Sequence, residues 1–149
     1  NGKPIQMWVN YPPGFDKSKK YPLYMLLHGG PHLAMTNIMH FRWNAQVFGS
    51  WGYVTAWPNF HGSSGFGNAF TDSINPQQDA LPYKDVIAAA EWFAQQPWID
   101  ADRMVAAPDG GGRKSPLAGR RACPDATGDR ARAHADRRAR VRAVLPPRA

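Results

Sequence analysis

The pattern of apolar and polar residues predicts two strands near the start of the chain. In residues 5–11 bulky apolar side chains occupy the odd positions, and Gln6 and Asn10 fall between them. This period of two is typical of a strand with one buried face. Residues 21–27 are instead apolar without alternation, which predicts a strand covered on both faces, as in a parallel or mixed sheet.

Helical and strand patterns then alternate. Phe41, Ala45 and Phe48 are spaced as one face of a helix over residues 41–51, with Gly52 as its end. Residues 53–57 predict a short strand, and residues 81–96 predict a longer helix with Pro82 in its first turn. Residues 103–107 begin another apolar strand. This order predicts the α/β class, with a mixed, mostly parallel sheet flanked by helices.

The charge divides the chain into two parts. Residues 1–107 carry seven basic and seven acidic side chains, whereas residues 108–149 carry eleven basic and four acidic ones, so 11 − 4 gives the whole net charge of +7. The second part consists largely of Arg, Ala, Pro, Gly and Asp and has no aromatic residue. Such a composition cannot offset the entropy cost of folding. We therefore expect a disordered basic tail, with at most a fraying helix over residues 130–144.

Composition also limits the functions that the chain can have. No apolar run approaches the ~18 residues of a membrane-spanning helix, and the single Cys123 allows no disulfide pair. The five histidines have no Cys or carboxylate partners at ligand spacing, so we expect no metal and no cofactor. The Arg-rich tail suggests salt-sensitive binding to polyanions such as nucleic acid, an alternative that the neutral first part disfavours. These features do not determine the cellular compartment of the protein.

Candidate chemistry lies in the loops that follow the strands, where α/β sheets collect their functional groups. His28, Gly29 and Gly30 follow the buried strand directly. Two glycines there expose backbone N–H groups, as an oxyanion site requires. A tight turn without a function explains the two glycines equally well. The loop of residues 59–67 is more simply a glycine-rich crossover, with a weaker alternative that Asn59 and His61 face a substrate.

Three segments carry a resemblance to a known family. They are YPPGFDKSKKYPLYMLLHGGPH (11–32), FRWNAQVFGSWGYVTAWPNFHGSSGFGNAF (41–70) and PYKDVIAAAEWFAQQPWIDADRMVAA (82–107). Together they resemble the prolyl oligopeptidase family of serine peptidases, in its dipeptidyl-peptidase V-like and acylaminoacyl-peptidase branch. The resemblance implies the first half of a catalytic α/β-hydrolase domain, a peptide substrate, and an oxyanion donor from the HGGP loop. It also implies a β-propeller before Asn1. The start at Asn1-Gly2-Lys3, without an initiator Met, separately predicts that the chain is an excised piece of a longer one.

The chain departs from this family after residue 107. The family continues there into a G-x-S-x-G nucleophile elbow, but this chain continues into PDGGGRKSPLAG and has no G-x-S-x-G at any position. Ser115 is a poor substitute, because an elbow needs small flanking residues and Pro116 lacks the N–H that the second oxyanion donor must supply. The catalytic Ser, Asp and His are therefore absent, and we expect the chain alone to be inactive.

Two further expectations come from the differences between this chain and the family that it resembles. The abrupt change at residue 108 suggests a frameshift, which translation of the other reading frames would test; a noncatalytic hydrolase relative is the alternative. An Arg is common in the family where His61 stands, which puts any role of that charge in doubt here.

Overall fold

The computed structural model describes residues 2–39, 41–75, 77–78, 80–108 and 141–144. Five strands form one sheet in the order β4-β2-β3-β1-β5. The strands β2 (Tyr21–Leu27), β3 (Val54–Asn59) and β4 (Ile99–Pro108) run parallel to one another, whereas β1 (Ile5–Asn10) is antiparallel to β3. The predicted mixed, mostly parallel sheet is confirmed.

The first two strands follow the predicted patterns. In β1 the side chains of Ile5, Met7 and Val9 are buried and those between them are half-buried, which matches the period of two. β2 has the predicted bounds, and its last three residues are all buried. β3 begins one residue later than predicted and continues to Asn59, and all six of its residues are buried. β3 is therefore covered on both faces, as a central parallel strand requires.

One face of the sheet packs against the long helix α3 (Ala80–Ala94), close to the predicted 81–96. The face that α3 buries carries Val86, Ala89, Ala90 and Phe93, and Phe93 is fully buried. These side chains join those of β1 to β4 in one hydrophobic core. Burial of apolar area contributes about 25 cal/mol per Å², so these side chains stabilise the packing of α3 on the sheet.

The other face is covered by the short helix α1 (Ala45–Ser50). Asn44 caps it by accepting a hydrogen bond from the Gln46 N–H. The prediction of a helix from residue 41 with Phe41 facing inward is wrong, because the helix begins four residues later and Phe41 is 93% exposed. An Asn at the cap position stops the helix from extending backward, since its side chain replaces the missing backbone acceptor.

Beyond α1 and β3 the chain forms α2 (Asn68–Thr71) and a 3₁₀ turn (Asp72–Ile74) before α3. The last element, β5 (Val141–Val144), pairs parallel with β1. The open side of β1 offers backbone groups with which this extended segment pairs. The disorder and the fraying helix expected of the tail stay predictions. The remaining predictions for the tail, with Ser115 and Cys123, lie outside the described residues.

Candidate functional site

The ends of three parallel strands place the predicted loops side by side. The HGGP loop follows β2, and the loop from Asn59 follows the neighbouring β3. On the other side of β2, Leu27 is in register with Pro108 at the end of β4. The chain therefore brings the HGGP loop next to the point where, in the resembling family, the nucleophile elbow begins.

The second glycine of the HGGP loop has the geometry of a tight turn. Gly30 has φ +59°, in the left-handed region, and its carbonyl accepts a hydrogen bond of 2.9 Å from the Leu33 N–H. Among the described residues the Gly30 N–H itself has no hydrogen-bond partner. A tight turn and an oxyanion donor are thus compatible in this loop, because the turn uses the carbonyl of Gly30 and leaves its N–H for another acceptor.

His28 is buried, with 5% of its surface exposed. Its Nε2 lies 2.9 Å from the hydroxyl of Ser63, which is fully buried, and its Nδ1 lies 3.2 Å from the Gly29 carbonyl oxygen. The ring stacks on Phe60 at a centroid distance of 4.2 Å and an interplanar angle of 12°. The ring is thus fixed by contacts on both nitrogens and one face, and it links the HGGP loop to the loop after β3.

Asn59 binds the backbone of the loop after β2. Its side-chain oxygen accepts from the Met35 N–H at 2.7 Å, and its side-chain nitrogen donates to the Met35 carbonyl at 3.0 Å and to the Gln6 amide oxygen. Trp8 Nε1 donates to the same Met35 carbonyl at 3.0 Å. Asn59 is 1% exposed. Its amide therefore acts as a substitute strand partner for Met35, because it offers one donor and one acceptor.

His61 is bound to helix α3. Its backbone N–H and its Nδ1–H both donate to one carboxylate oxygen of Asp85, at 2.7 and 2.6 Å. The two side chains are 4% and 11% exposed, and the His61 ring stacks on Phe70 at 4.5 Å. Burial raises the pKa of Asp85, and the hydrogen bonds from His61 oppose that rise only in part. The pair fixes the start of the loop after β3 against the helix.

Backbone contacts complete this junction of the two loops. Ser64 N–H donates to the Leu33 carbonyl at 3.2 Å, and His32 Nδ1 lies 3.2 Å from the Gly62 carbonyl oxygen. Gly62 has φ +98°, and a Cβ there would lie 2.6 Å from the Ile74 side chain and 3.1 Å from the Pro31 carbonyl. Only glycine fits this approach of the two loops.

The structure thus brings all five predicted site residues to one edge of the sheet. The side chains of Asn59 and His61 have intramolecular partners, and a role toward substrate stays a prediction for both. Sequence reasoning missed Ser63 and Asp85. A signal for Asp85 was present, because it lies four residues before the buried Ala89 and hence on the core-facing side of α3.

A separate pocket of about 340 Å³ lies on the α1 side of the sheet, between Trp8, Trp57 and the segment of residues 36–39. The buried Nε1 of Trp57 has no partner among the described residues. None of the HGGP residues lines this pocket. The pocket is therefore distinct from the junction of the two loops.

Helices of the described residues are all too short or too polar to cross a membrane. The same part of the chain contains no group of three or more His, Cys, Asp or Glu side chains placed to hold a metal ion.

Comparisons with known proteins agree on one family. The model of the prolyl oligopeptidase family matches residues 39–109. The probable dipeptidyl-peptidase 5 of Emericella nidulans is 46% identical over 108 residues, which cover 72% of this chain and 15% of that protein. The chain thus spans about 15% of the length of these curated relatives.

Solved structures agree with this match. The dipeptidyl peptidase 4 of Porphyromonas gingivalis superposes with a TM-score of 0.62 at 29% identity, covering 68% of this chain and 14% of that one. The acylaminoacyl peptidase of Pyrococcus horikoshii gives a TM-score of 0.60 at 22% identity, over 67% and 16% of the two chains, and supports the fold alone. The part of the chain that these comparisons match therefore belongs to the prolyl oligopeptidase family of serine peptidases.

Proposed function

We propose that the family-matching part of this chain supplies the oxyanion-loop half of a serine peptidase catalytic domain of the dipeptidyl- or acylaminoacyl-peptidase kind. The observation that carries the proposal is the Gly30 N–H, which has no partner among the described residues and lies in the loop after β2, beside the end of β4. In α/β-hydrolases one oxyanion donor comes from a loop of this type. The second comes from the residue after the nucleophile.

In the proposed reaction a serine at a G-x-S-x-G elbow attacks the scissile carbonyl of a peptide. The Gly30 N–H then donates to the oxygen on which negative charge develops. One such donor contributes about 10²–10³ in kcat. Because the sequence holds no G-x-S-x-G, the 149-residue chain alone should not carry out this step. A preceding β-propeller is part of the same proposal.

A chimera tests the proposal. The 108 matching residues of the Emericella nidulans relative are replaced by those of this chain, and release of p-nitroaniline from dipeptidyl substrates is measured. Hydrolysis above that of the same chimera with its nucleophilic serine changed to alanine is expected. A chimera that folds and remains at that background would refute the proposal.

A fluorophosphonate probe tests the second part, namely that this chain lacks a nucleophile. No labelling of the purified 149-residue chain is expected, while the host enzyme serves as the positive control. Labelling of the chain would show that it contains an activated serine and would overturn this part.

Polyanion binding is a second candidate, favoured by the concentration of the whole net charge of +7 in residues 108–149. Ten arginines without aromatic residues predict salt-sensitive attraction to phosphates or sulfates that is blind to sequence. Heparin retention of the full chain and its loss on deletion of residues 108–149 are expected. Retention that survives the deletion would count against binding through this segment.

A further inference from the structure

The pocket of about 340 Å³ on the α1 side of the sheet is lined by two tryptophans of neighbouring strands. Trp8 on β1 and Trp57 on β3 are direct partners in the antiparallel pair, so their side chains lie on the same face of the sheet. The segment of residues 36–39 and the start of α1 form its walls. Its volume lies at the low end of the range of about 300–1,000 Å³ that is typical of small-molecule sites.

Hydrogen bonds within the chain fix the walls of this pocket. Next to the segment 36–39, both backbone groups of Met35 are bound. Its N–H donates to the Asn59 side chain at 2.7 Å, and its carbonyl accepts from Asn59 and from Trp8 Nε1, each at 3.0 Å. The start of α1 is fixed by its cap, Asn44. Because the walls are preformed, little entropy is lost in ordering them when a ligand binds.

The two tryptophans differ in their hydrogen bonds. Trp8 Nε1 donates to the Met35 carbonyl, whereas Trp57 is 7% exposed and its Nε1 has no hydrogen-bond partner among the described residues. A buried N–H without a partner is unfavourable, because it has lost its hydrogen bonds to water. The indole nitrogen can only donate. The group that satisfies it must therefore be an acceptor, such as a carbonyl oxygen.

The polar residues around the pocket are uncharged. Among the described residues that line it there is no Asp, Glu, Lys or Arg, and the polar ones are Asn10, Thr36, Asn37, Asn44 and Gln46. An ionised group placed there would lose its hydration without gaining an opposite charge. Amides and hydroxyls instead complement a neutral group that both donates and accepts, and indole rings favour flat apolar partners. An aromatic carboxamide combines these properties.

We propose that this pocket is a binding site for a small uncharged aromatic amide. The Trp57 Nε1–H donates to the amide oxygen of the ligand, and the aromatic ring packs against the indole of Trp8. The inference does not depend on the proposed function, since none of the HGGP residues lines the pocket. The site is therefore additional to the junction of the two loops.

The first experiment titrates the ¹⁵N-labelled 149-residue chain with benzamide and follows the indole N–H signals in ¹H–¹⁵N correlation spectra. A saturable shift of the Trp57 signal is expected, with a Kd of about 1 mM for a ligand with so few atoms. Benzoate keeps the ring and the acceptor oxygens but adds a charge, and it should bind at least about tenfold more weakly. No saturation by benzamide up to about twenty times the expected Kd, or equal binding of the two probes, would overturn the proposal.

The second experiment compares two matched tryptophan variants. Trp57→Phe keeps an aromatic ring but removes the N–H. Its affinity for benzamide, followed through the backbone amide signal of Thr36, should fall about tenfold, the effect of one hydrogen bond. Trp51→Phe is the control, since Trp51 is 65% exposed and does not line the pocket, and it should keep the parent affinity.

Undiminished binding in Trp57→Phe, or an equal loss in both variants, would refute the role of Trp57 as the donor. Should Trp57→Phe not fold, titration of the parent chain with benzamide and benzoate still decides whether the pocket binds an uncharged aromatic amide, because it needs no variant.

Discussion

The hydrogen bonds between His61 and Asp85 allow a test of whether a buried charge or a buried acceptor stabilises the loop after β3. One carboxylate oxygen of Asp85 accepts both the backbone N–H and the Nδ1–H of His61. Asp85→Ala leaves two buried donors unsatisfied, each at a cost of about 1–3 kcal/mol. We therefore expect a loss of about 2–6 kcal/mol in the free energy of unfolding, a large share of the ~5–15 kcal/mol that holds a domain folded.

Asp85→Asn should behave differently. Its amide oxygen can replace the carboxylate oxygen as acceptor for both donors. Because burial raises the pKa of Asp85, the ionised form is less favourable in the folded chain than in water. Removal of the charge therefore offsets the weaker hydrogen bonds, and we expect a change of less than about 1 kcal/mol.

The assay is urea unfolding at pH 7.5, followed by tryptophan fluorescence. All variants are analysed with the same slope m of the unfolding free energy against urea concentration. Asp102→Asn, at an exposed position on β4, is the matched control and should change stability by less than about 0.5 kcal/mol. The reasoning fails if Asp85→Ala is as stable as this control, or if Asp85→Asn loses as much as Asp85→Ala.

Three other expectations concern the same region. A raised pKa for an acid means that the folded chain holds the proton more tightly than the unfolded one. The contribution of Asp85 to stability therefore falls as pH rises from below about 3.9 through the raised value. Urea unfolding at pH 3–6 should show this fall of the unfolding free energy with pH in the parent chain and a smaller fall in Asp85→Asn. Asn59→Ala removes both hydrogen bonds to the Met35 backbone and should cost about 1–3 kcal/mol, with faster proteolysis after Met35 as the readout; unchanged cleavage would contradict it. Gly62→Ala should lose about 1–3 kcal/mol more than Gly52→Ala in thermal unfolding, because both have positive φ but only Gly62 has atoms within 4 Å of the added Cβ; equal losses would exclude a packing cause.

Local patterns were sufficient to predict much of the sheet. The alternation in β1 and the continuous apolar run in β2 depend on which faces a strand buries, and both match the structure. The start of α1 was missed because Phe41 fits a helical spacing, while the Asn44 cap decides the boundary through one hydrogen bond. The spacing of apolar residues carries no information about a polar cap of this kind.

The sequence predicted where the candidate site lies, but not the hydrogen bonds that connect its residues. Strand order places His28 and Asn59 at one edge, since parallel strands end together. The partners Ser63 and Asp85 come from contacts 35 and 24 residues apart in sequence. No periodicity links positions at such separations, so their pairing depends on how the loops pack against α3.

The junction of the two loops has a consequence for recombination between relatives. His28 and Met35 on one loop depend on Ser63 and Asn59 on the other. A crossover placed between β2 and β3 would pair loops inherited from different parents. A substitution at His28, Ser63 or Asn59 in one parent would then leave its partner in the other loop without the matching contact. The two loops should therefore be inherited as one unit, and libraries of hybrid enzymes should keep both from the same parent.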